Sequence, residues 1–149
     1  LERLARGWRV LAIDSSPLAI ELLRQKVPNE HLPRLETRVT GFEGLTLPTA
    51  QLVNASYALP FCDPPAFPRL WKAICDAIPV GGRFAGQFFG DRDAWVRLKD
   101  RTHHTRDQVI ELFRDFVLED FKEIENQETG TNGEVKEWHI FHVVAKRRV

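Results

Sequence analysis

The stretch from Trp8 to Pro17, WRVLAIDSSP, decides the fold of this 149-residue chain. Its run of apolar residues predicts a buried strand that ends at Asp14. Ser16 and Pro17 predict that a helix begins at once. A serine oxygen caps a free backbone amide, and proline at the first helical position leaves no amide hydrogen unsatisfied. The sequence therefore predicts a strand that leads directly into a helix, which is typical of α/β folds.

Strands and helices alternate on the C-terminal side of this stretch. The helix that begins at Pro17 is expected to run to about Val27, because Pro28 stops it. Two later helices are predicted from apolar residues at helical spacing: Phe67, Leu70, Trp71, Ile74 and Ile78 in one, and Val109, Leu112, Phe113 and Phe116 in the other. Thr105 and Gln108 predict a capping box at the start of the second. Strands are predicted at residues 34–39, 51–59, 83–89, 118–128 and 137–146.

This alternation predicts a single domain over residues 1–149 with an α/β fold. We expect a doubly wound, Rossmann-like sheet that is mostly parallel. The turn-forming run at residues 129–133, TGTNG, joins the last two strands and predicts an antiparallel hairpin at the C-terminal end.

Composition excludes several classes of function. The chain has 21 basic and 21 acidic residues, so no net charge favours binding to nucleic acid or to an anionic membrane surface. No apolar run is long enough to span a bilayer. Cys62 and Cys75 have no metal-binding spacing, which predicts reduced thiols in a cytoplasmic protein and no metal site. His139 and His142 lie three residues apart on a predicted strand, hence on opposite faces, and are expected to be structural.

An acid at the end of a strand, such as Asp14, has two interpretations. In nucleotide-binding α/β folds a carboxylate at this position accepts hydrogen bonds from both hydroxyls of a ribose. The alternative is that Asp14 caps the next helix, but Ser16 is already available for that role, and ribose binding is favoured. The glycine-rich turn that belongs roughly 20 residues upstream of such an acid has no counterpart here. The chain begins with LERLARG, which resembles the end of a helix, and it contains no methionine, so we interpret it as the C-terminal three quarters of a domain.

The order of these motifs resembles the class I S-adenosylmethionine-dependent methyltransferases. An acid follows the strand at Trp8, a Pro-x-Gly-Gly turn opens PVGGRFAGQFFG, and KEWHIFHVVAKR is similar to the final strand of that family. The chain resembles most the small bacterial methyltransferases of the tellurite-resistance-like type, without their first strand and glycine-rich loop. The resemblance implies S-adenosylmethionine as the cofactor and methyl transfer to a small molecule as the activity.

The resemblance also assigns residues to the cofactor. Asp14 and Ser15 correspond to the ribose-binding turn, while Phe42 and Glu43 correspond to the adenine contact, with Gly41 where an acid is frequent. The end of the family's fourth strand, which lies beside the methionine portion, corresponds to Asn54, Ala55 and Tyr57.

Open α/β sheets bind ligands at the carboxyl ends of their strands. This rule predicts a substrate pocket with aromatic walls, whose candidate residues are Tyr57, Phe61, Phe89, Asp91, Trp95, His103 and His104. A histidine accepts a proton at neutral pH, but polar histidines ahead of a helix cap are more often solvated bystanders. No residue is therefore assigned to catalysis.

Two other functions stay open. Without the family's first strand, two neighbouring strands expose their hydrogen-bonding edges. In the first alternative, the chain is a non-catalytic domain that has lost cofactor binding and forms a homo-oligomer or strand-swapped dimer. The second alternative is a nicotinamide-binding domain, which shares the ribose-binding acid but is disfavoured by the reversed hairpin.

Overall fold

The computed structural model describes residues 1–149 and divides them into two compact units, Leu1–Leu45 and Thr46–Val149. The N-terminal unit contains helix α1 (Glu2–Ala5), strand β1 (Val10–Asp14), helix α2 (Pro17–Lys26) and strand β2 (Leu35–Val39). A 3-10 turn at Asn29–Arg34 joins α2 to β2.

The N-terminal unit is a strand, a helix and a second strand packed on a small core. β1 and β2 pair in parallel, from Val10 opposite Leu35 to Asp14 opposite Val39. The core consists of Leu4, Val27 and Leu35, against which Val10, Ala12, Leu23 and Leu32 pack. Ser16 caps α2 as predicted, since its Oγ accepts the backbone N–H of Ala19 at 3.2 Å. The prediction that a strand leads directly into a helix is confirmed.

The C-terminal unit is built on a mixed sheet. Its elements are β3 (Leu52–Ala55), α3 (Phe67–Ala77), β4 (Arg83–Gly90), β5 (His103–His104), α4 (Arg106–Leu112), β6 (Phe116–Thr129) and β7 (Val135–Arg147). The strand order is β3-β4-β7-β6, and the short β5 also pairs with β4. β3 and β5 run parallel to β4, whereas β7 runs antiparallel to both β4 and β6.

Aromatic side chains form the core of this unit. The ring of Trp71 on α3 meets those of Phe84, Phe88 and Phe113 edge-on at 5.1–5.8 Å between centroids. Its indole N–H donates to the carbonyl of Leu112 at 3.2 Å, so the polar atom of this buried side chain is satisfied. The five apolar residues that predicted α3 are all buried.

Two predicted boundaries were wrong. The strand predicted at residues 51–59 ends at Ala55, because Tyr57 adopts a left-handed backbone (φ 50°) and Leu59–Phe61 form a 3-10 turn. Phe116 was predicted in the last helix but begins β6, since α4 ends at Leu112 and a tight turn follows. The Phe116 ring still packs on Phe113 at 5.5 Å, which explains why both residues are apolar.

The hairpin of β6 and β7 extends beyond its neighbour β4. β4 pairs with β7 as far as Phe89 opposite Ile140, whereas residues 135–139 of β7 pair with β6 alone. A turn at residues 130–134 closes the hairpin: Gly133 has φ 81°, and the N–H of Gly130 donates to the Glu134 carbonyl at 2.8 Å. The projecting end of the hairpin is therefore free to form one wall of a site.

Each unit contains a strand with one unpaired edge. In the N-terminal unit β1 pairs only with β2, and in the C-terminal unit β3 pairs only with β4. None of the helices has the length and hydropathy that a membrane span requires.

Candidate functional site

The C-terminal unit contains a cavity at the carboxyl ends of β3 and β4. Its volume is about 630 Å³, which is within the usual range for small-molecule sites. The lining residues are Tyr57, Phe61, Phe89, Trp95, Asn126, Gln127, Glu128, Trp138 and Ile140. Parallel strands of α/β folds present their ligand sites at this end.

Four elements supply the aromatic walls. Phe61 follows β3, Phe89 ends β4, Trp95 lies in the 3-10 turn Ala94–Arg97, and Trp138 is on the projecting end of β7. The Phe89 ring centroid is 5.7 Å from that of Phe61 and 5.8 Å from that of Trp95. The two indole rings, of Trp95 and Trp138, are 5.2 Å apart. The walls are therefore a continuous cluster of rings, and each ring holds the next in place.

A buried carboxylate fixes the turn that carries Trp95. The Asp93 side chain is only 1% exposed and accepts three hydrogen bonds. Oδ1 accepts from the Trp95 N–H and from Lys136 Nζ, both at 2.9 Å, and Oδ2 accepts from the His139 N–H at 3.0 Å. Because a buried charge without partners is strongly unfavourable, these bonds tie the turn after β4 to β7.

Two cations stack on the cavity's aromatic cluster. Lys136 Nζ is 3.8 Å from the ring centroid of Trp95 and 3.7 Å from that of Trp138. The Arg101 guanidinium is 4.7 Å from the Trp95 ring and 5.5 Å from the Phe61 ring. Cation–π attraction thus adds to the buried ion pair in ordering these walls.

Tyr57 lines the cavity, and its backbone conformation is strained. A left-handed φ is unfavourable for a bulky residue and is often found where function requires it. The N–H of Tyr57 donates to Gln87 Oε1 on β4 at 2.8 Å, and this bond holds the conformation. The ring is half exposed and meets His142 edge-on at 6.2 Å. Asn54 and Ala55, also predicted for the cofactor, lie on β3 and pair with Ala85 and Gly86 of β4.

The remaining residues predicted for the cofactor belong to the N-terminal unit. Asp14 ends β1 with an exposed side chain, and its Oδ1 accepts the Ser16 N–H at 2.8 Å. The helix-capping interpretation therefore accounts for Oδ1, while Oδ2 has no partner in the chain. Ser15 follows in the same turn and is exposed. Phe42, which is half-buried, and the exposed Glu43 lie in a turn after β2.

Three of the predicted pocket residues do not line the cavity: Asp91, His103 and His104. Burial lowers the pKa of His104 to about 4, and its ring packs on Phe67 at 4.8 Å. Burial also lowers the pKa of His103, whose Nε2 is 3.9 Å from Asp93 Oδ1. Both imidazoles are therefore neutral at pH 7, and His104 belongs to the apolar core.

One cluster outside the cavity has the residue types of a metal site. Glu123, Glu125 and His139 bring their ligand atoms within 4.8 Å of one another. The Arg92 guanidinium lies among them, with its Nη2 3.0 Å from Glu123 Oε1 and its Nε 2.6 Å from Glu125 Oε1. His139 Nδ1 accepts the Arg92 N–H at 3.0 Å, so its proton is on Nε2 and is donated to Glu123 at 2.8 Å. A metal on Nε2 would require the proton to move to Nδ1, where the Arg92 N–H already donates. We therefore interpret the cluster as an ion-pair network.

The cavity wall contributed by the hairpin was not predicted from the sequence. Asn126, Gln127, Glu128, Trp138 and Ile140 lie within strands rather than at strand ends. The signal was present in the alternation of Lys136, Trp138 and Ile140, which places all three side chains on one face of β7. A strand longer than its neighbour extends that face past the sheet.

The chain was compared with known proteins by sequence and by structure. No protein-family model and no curated protein sequence matches it. Among solved structures it is similar to TehB from Haemophilus influenzae, with 14% identity and a TM-score of 0.80 over 95% of this chain and 51% of TehB. It is also similar to a SAM-dependent methyltransferase from Methanosarcina mazei (15% identity, TM-score 0.66, 99% of this chain and 86% of that one). The third comparison is with the N-methyltransferase NodS from Bradyrhizobium japonicum WM9 (12% identity, TM-score 0.66, 95% and 74%).

These similarities show the fold. The chain has the fold of the class I S-adenosylmethionine-dependent methyltransferases, as its motifs predicted. It spans about half the length of the TehB chain that it matches.

Proposed function

We propose that this chain is a methyltransferase domain that uses S-adenosylmethionine and transfers the methyl group to a small molecule. The observation that carries the proposal is the aromatic-walled cavity at the carboxyl ends of β3 and β4, in a chain with a methyltransferase fold. The absence of net charge supports a small molecule rather than a nucleic acid as the acceptor.

The residues present fit parts of the cofactor. Asp14 offers an exposed carboxylate oxygen, Oδ2, with no partner in the chain, which suits a ribose hydroxyl. Ser15 lies in the same turn, and we assign Phe42 and Glu43 to adenine. Asn54, Ala55 and Tyr57 are assigned to the methionine portion. The bound cofactor would supply an activated methyl group.

In this proposal the cavity orients the methyl acceptor. Methyl transfer is an in-line displacement, so alignment of the reacting atoms accounts for much of the rate. Rings that hold one another in place keep such an alignment. Tyr57 and Glu128 are the titratable residues of the lining, and Glu128 is the carboxylate available to an acceptor that must lose a proton.

Calorimetric titration of the chain with S-adenosylhomocysteine and with NAD tests the proposal. We expect S-adenosylhomocysteine to bind, and Asp14→Asn to weaken it by about tenfold or more, because a charged hydrogen-bond acceptor is lost. The asparagine oxygen still accepts the Ser16 N–H, so the turn survives. Glu30→Gln, an exposed change in the same unit, is the matched control. Binding of NAD alone would contradict the proposal.

A second candidate function is supported by the unpaired edges of β1 and β3. Unpaired strand edges favour pairing with another chain. In this alternative the chain binds no cofactor and forms a homo-oligomer or strand-swapped dimer. Light scattering after size exclusion distinguishes the two candidates when combined with the titration: an oligomer that binds no S-adenosylhomocysteine supports the second.

A further inference from the structure

The side chains that line the cavity favour a positively charged ligand. The lining contains five aromatic side chains, the carboxylate of Glu128 and the side-chain amide of Asn126, and no basic side chain. Aromatic faces and carboxylates both attract positive charge, and amide oxygens solvate it. A neutral or anionic ligand would use less of this chemistry than a cation.

Two basic side chains of the protein already make cation–π contacts with the rings that line the cavity. The Lys136 ammonium lies against Trp95 and Trp138, and the Arg101 guanidinium lies against Trp95 and Phe61. Each of these cations has its own carboxylate. Lys136 pairs with Asp93 at 2.9 Å, and Arg101 pairs with Asp100 at 3.1 Å. Neither cation therefore neutralises the carboxylate that lines the cavity.

That carboxylate is Glu128. Its Oε2 accepts the indole N–H of Trp138 at 2.9 Å, which fixes the group beside the aromatic wall without supplying a positive charge. Lys136 is the residue opposite Glu128 in the hairpin, but its ammonium is bound to Asp93 instead. No basic side chain forms an ion pair with Glu128. The carboxylate of the cavity is thus without an ion-pair partner.

We infer that the cavity binds an organic cation, such as a quaternary or protonated amine, between its aromatic walls and Glu128. A cavity of about 630 Å³ accommodates such a group together with an apolar body. The inference names the class of the methyl acceptor or product, and in that respect it rests on the proposed function. As a binding preference it stands on the cavity alone.

A pair of ligands of equal shape and different charge tests this preference. Choline and 3,3-dimethylbutan-1-ol are titrated into the chain, and the indole N–H signals of its four tryptophans are followed by NMR. We expect the signals of Trp95 and Trp138 to shift while those of Trp8 and Trp71 stay unchanged. We expect choline to bind about tenfold more tightly, which is the range of a partly desolvated cation–π contact.

Matched variants identify the role of Glu128. Glu128→Gln removes the charge and keeps an oxygen that accepts the Trp138 N–H, so we expect choline binding to weaken about fivefold and binding of the neutral alcohol to stay unchanged. Glu134→Gln makes the same charge change in the hairpin turn, outside the cavity, and is expected to have no effect. Equal affinity for the two ligands, no shift with either, or equal losses in both variants would overturn the inference.

Titration with S-adenosylhomocysteine in the same samples separates this inference from the proposed function. Binding of S-adenosylhomocysteine without a preference for choline overturns the inference alone. A preference for choline without binding of S-adenosylhomocysteine overturns the proposed function alone.

Discussion

The two units present their candidate site residues in different ways. In the N-terminal unit, Asp14 is placed by the few residues around it: a strand end, a turn bonded to Ser16 and a capped helix. In the C-terminal unit, the cavity depends on contacts between residues far apart in sequence, such as Asp93 with Lys136. The first arrangement is local and exposed, whereas the second requires a buried ion pair and a cluster of rings. We therefore expect variants of the second unit to have the larger effects.

The largest effect is expected at Asp93. Asp93→Ala leaves the Lys136 ammonium without its carboxylate and removes the acceptor of two backbone N–H groups. We expect the free energy of unfolding to fall by about 3–5 kcal/mol, as for other broken buried pairs, measured by urea denaturation. Asp91→Asn changes an exposed carboxyl two residues away and should cost far less.

A double variant checks the cause of that loss. Lys136→Met in the Asp93→Ala background removes the unpaired ammonium and keeps an apolar side chain against the rings. The double variant should be more stable than Asp93→Ala alone. Equal stability of the two would show that hydrogen bonding to the backbone, rather than charge, accounts for the role of Asp93.

The next effect is a loss of stability in acid that originates at His104. Burial lowers its pKa to about 4 in the folded chain, against about 6.5 when unfolded. The folded chain favours the neutral form of the ring. The stability that depends on this form is therefore complete above pH 6.5 and is lost as the pH falls towards 4. The difference corresponds to about 3 kcal/mol. Thermal unfolding between pH 4 and 7 should show a weaker pH dependence for His104→Leu, and an unchanged dependence would contradict the assignment.

The smallest losses of stability are expected at the helix caps, one of which is tested in each unit. Ser16→Ala removes the oxygen that caps α2, and Thr105→Ala removes the one that caps α4. Each change is expected to cost about 1 kcal/mol, or a fivefold faster amide hydrogen exchange in its own helix. Faster exchange of α4 in Ser16→Ala would show that the caps do not act locally.

The contrast between local and long-range contacts also explains what the sequence predicted. Ser16, Pro17 and the capping box of Thr105 with Gln108 act within a few residues, and these helix starts were predicted correctly. The end of β3 was missed because the left-handed Tyr57 is held by Gln87, thirty residues away. The hairpin wall was missed because its place depends on the register of Phe89 with Ile140, beyond which β7 leaves β4. No local pattern encodes such a register.

The most direct test of the proposed function is a residue-resolved NMR titration of the chain with S-adenosylhomocysteine. We expect shifts of backbone amide signals at Asp14 and Ser15 in the N-terminal unit and at Asn54, Ala55 and Tyr57 in the C-terminal unit. The amides of α4 should stay unchanged, because no predicted cofactor residue lies on that helix. Shifts with NAD but not with S-adenosylhomocysteine, or no shift at any of the five residues, would contradict the proposal that this chain is a methyltransferase domain.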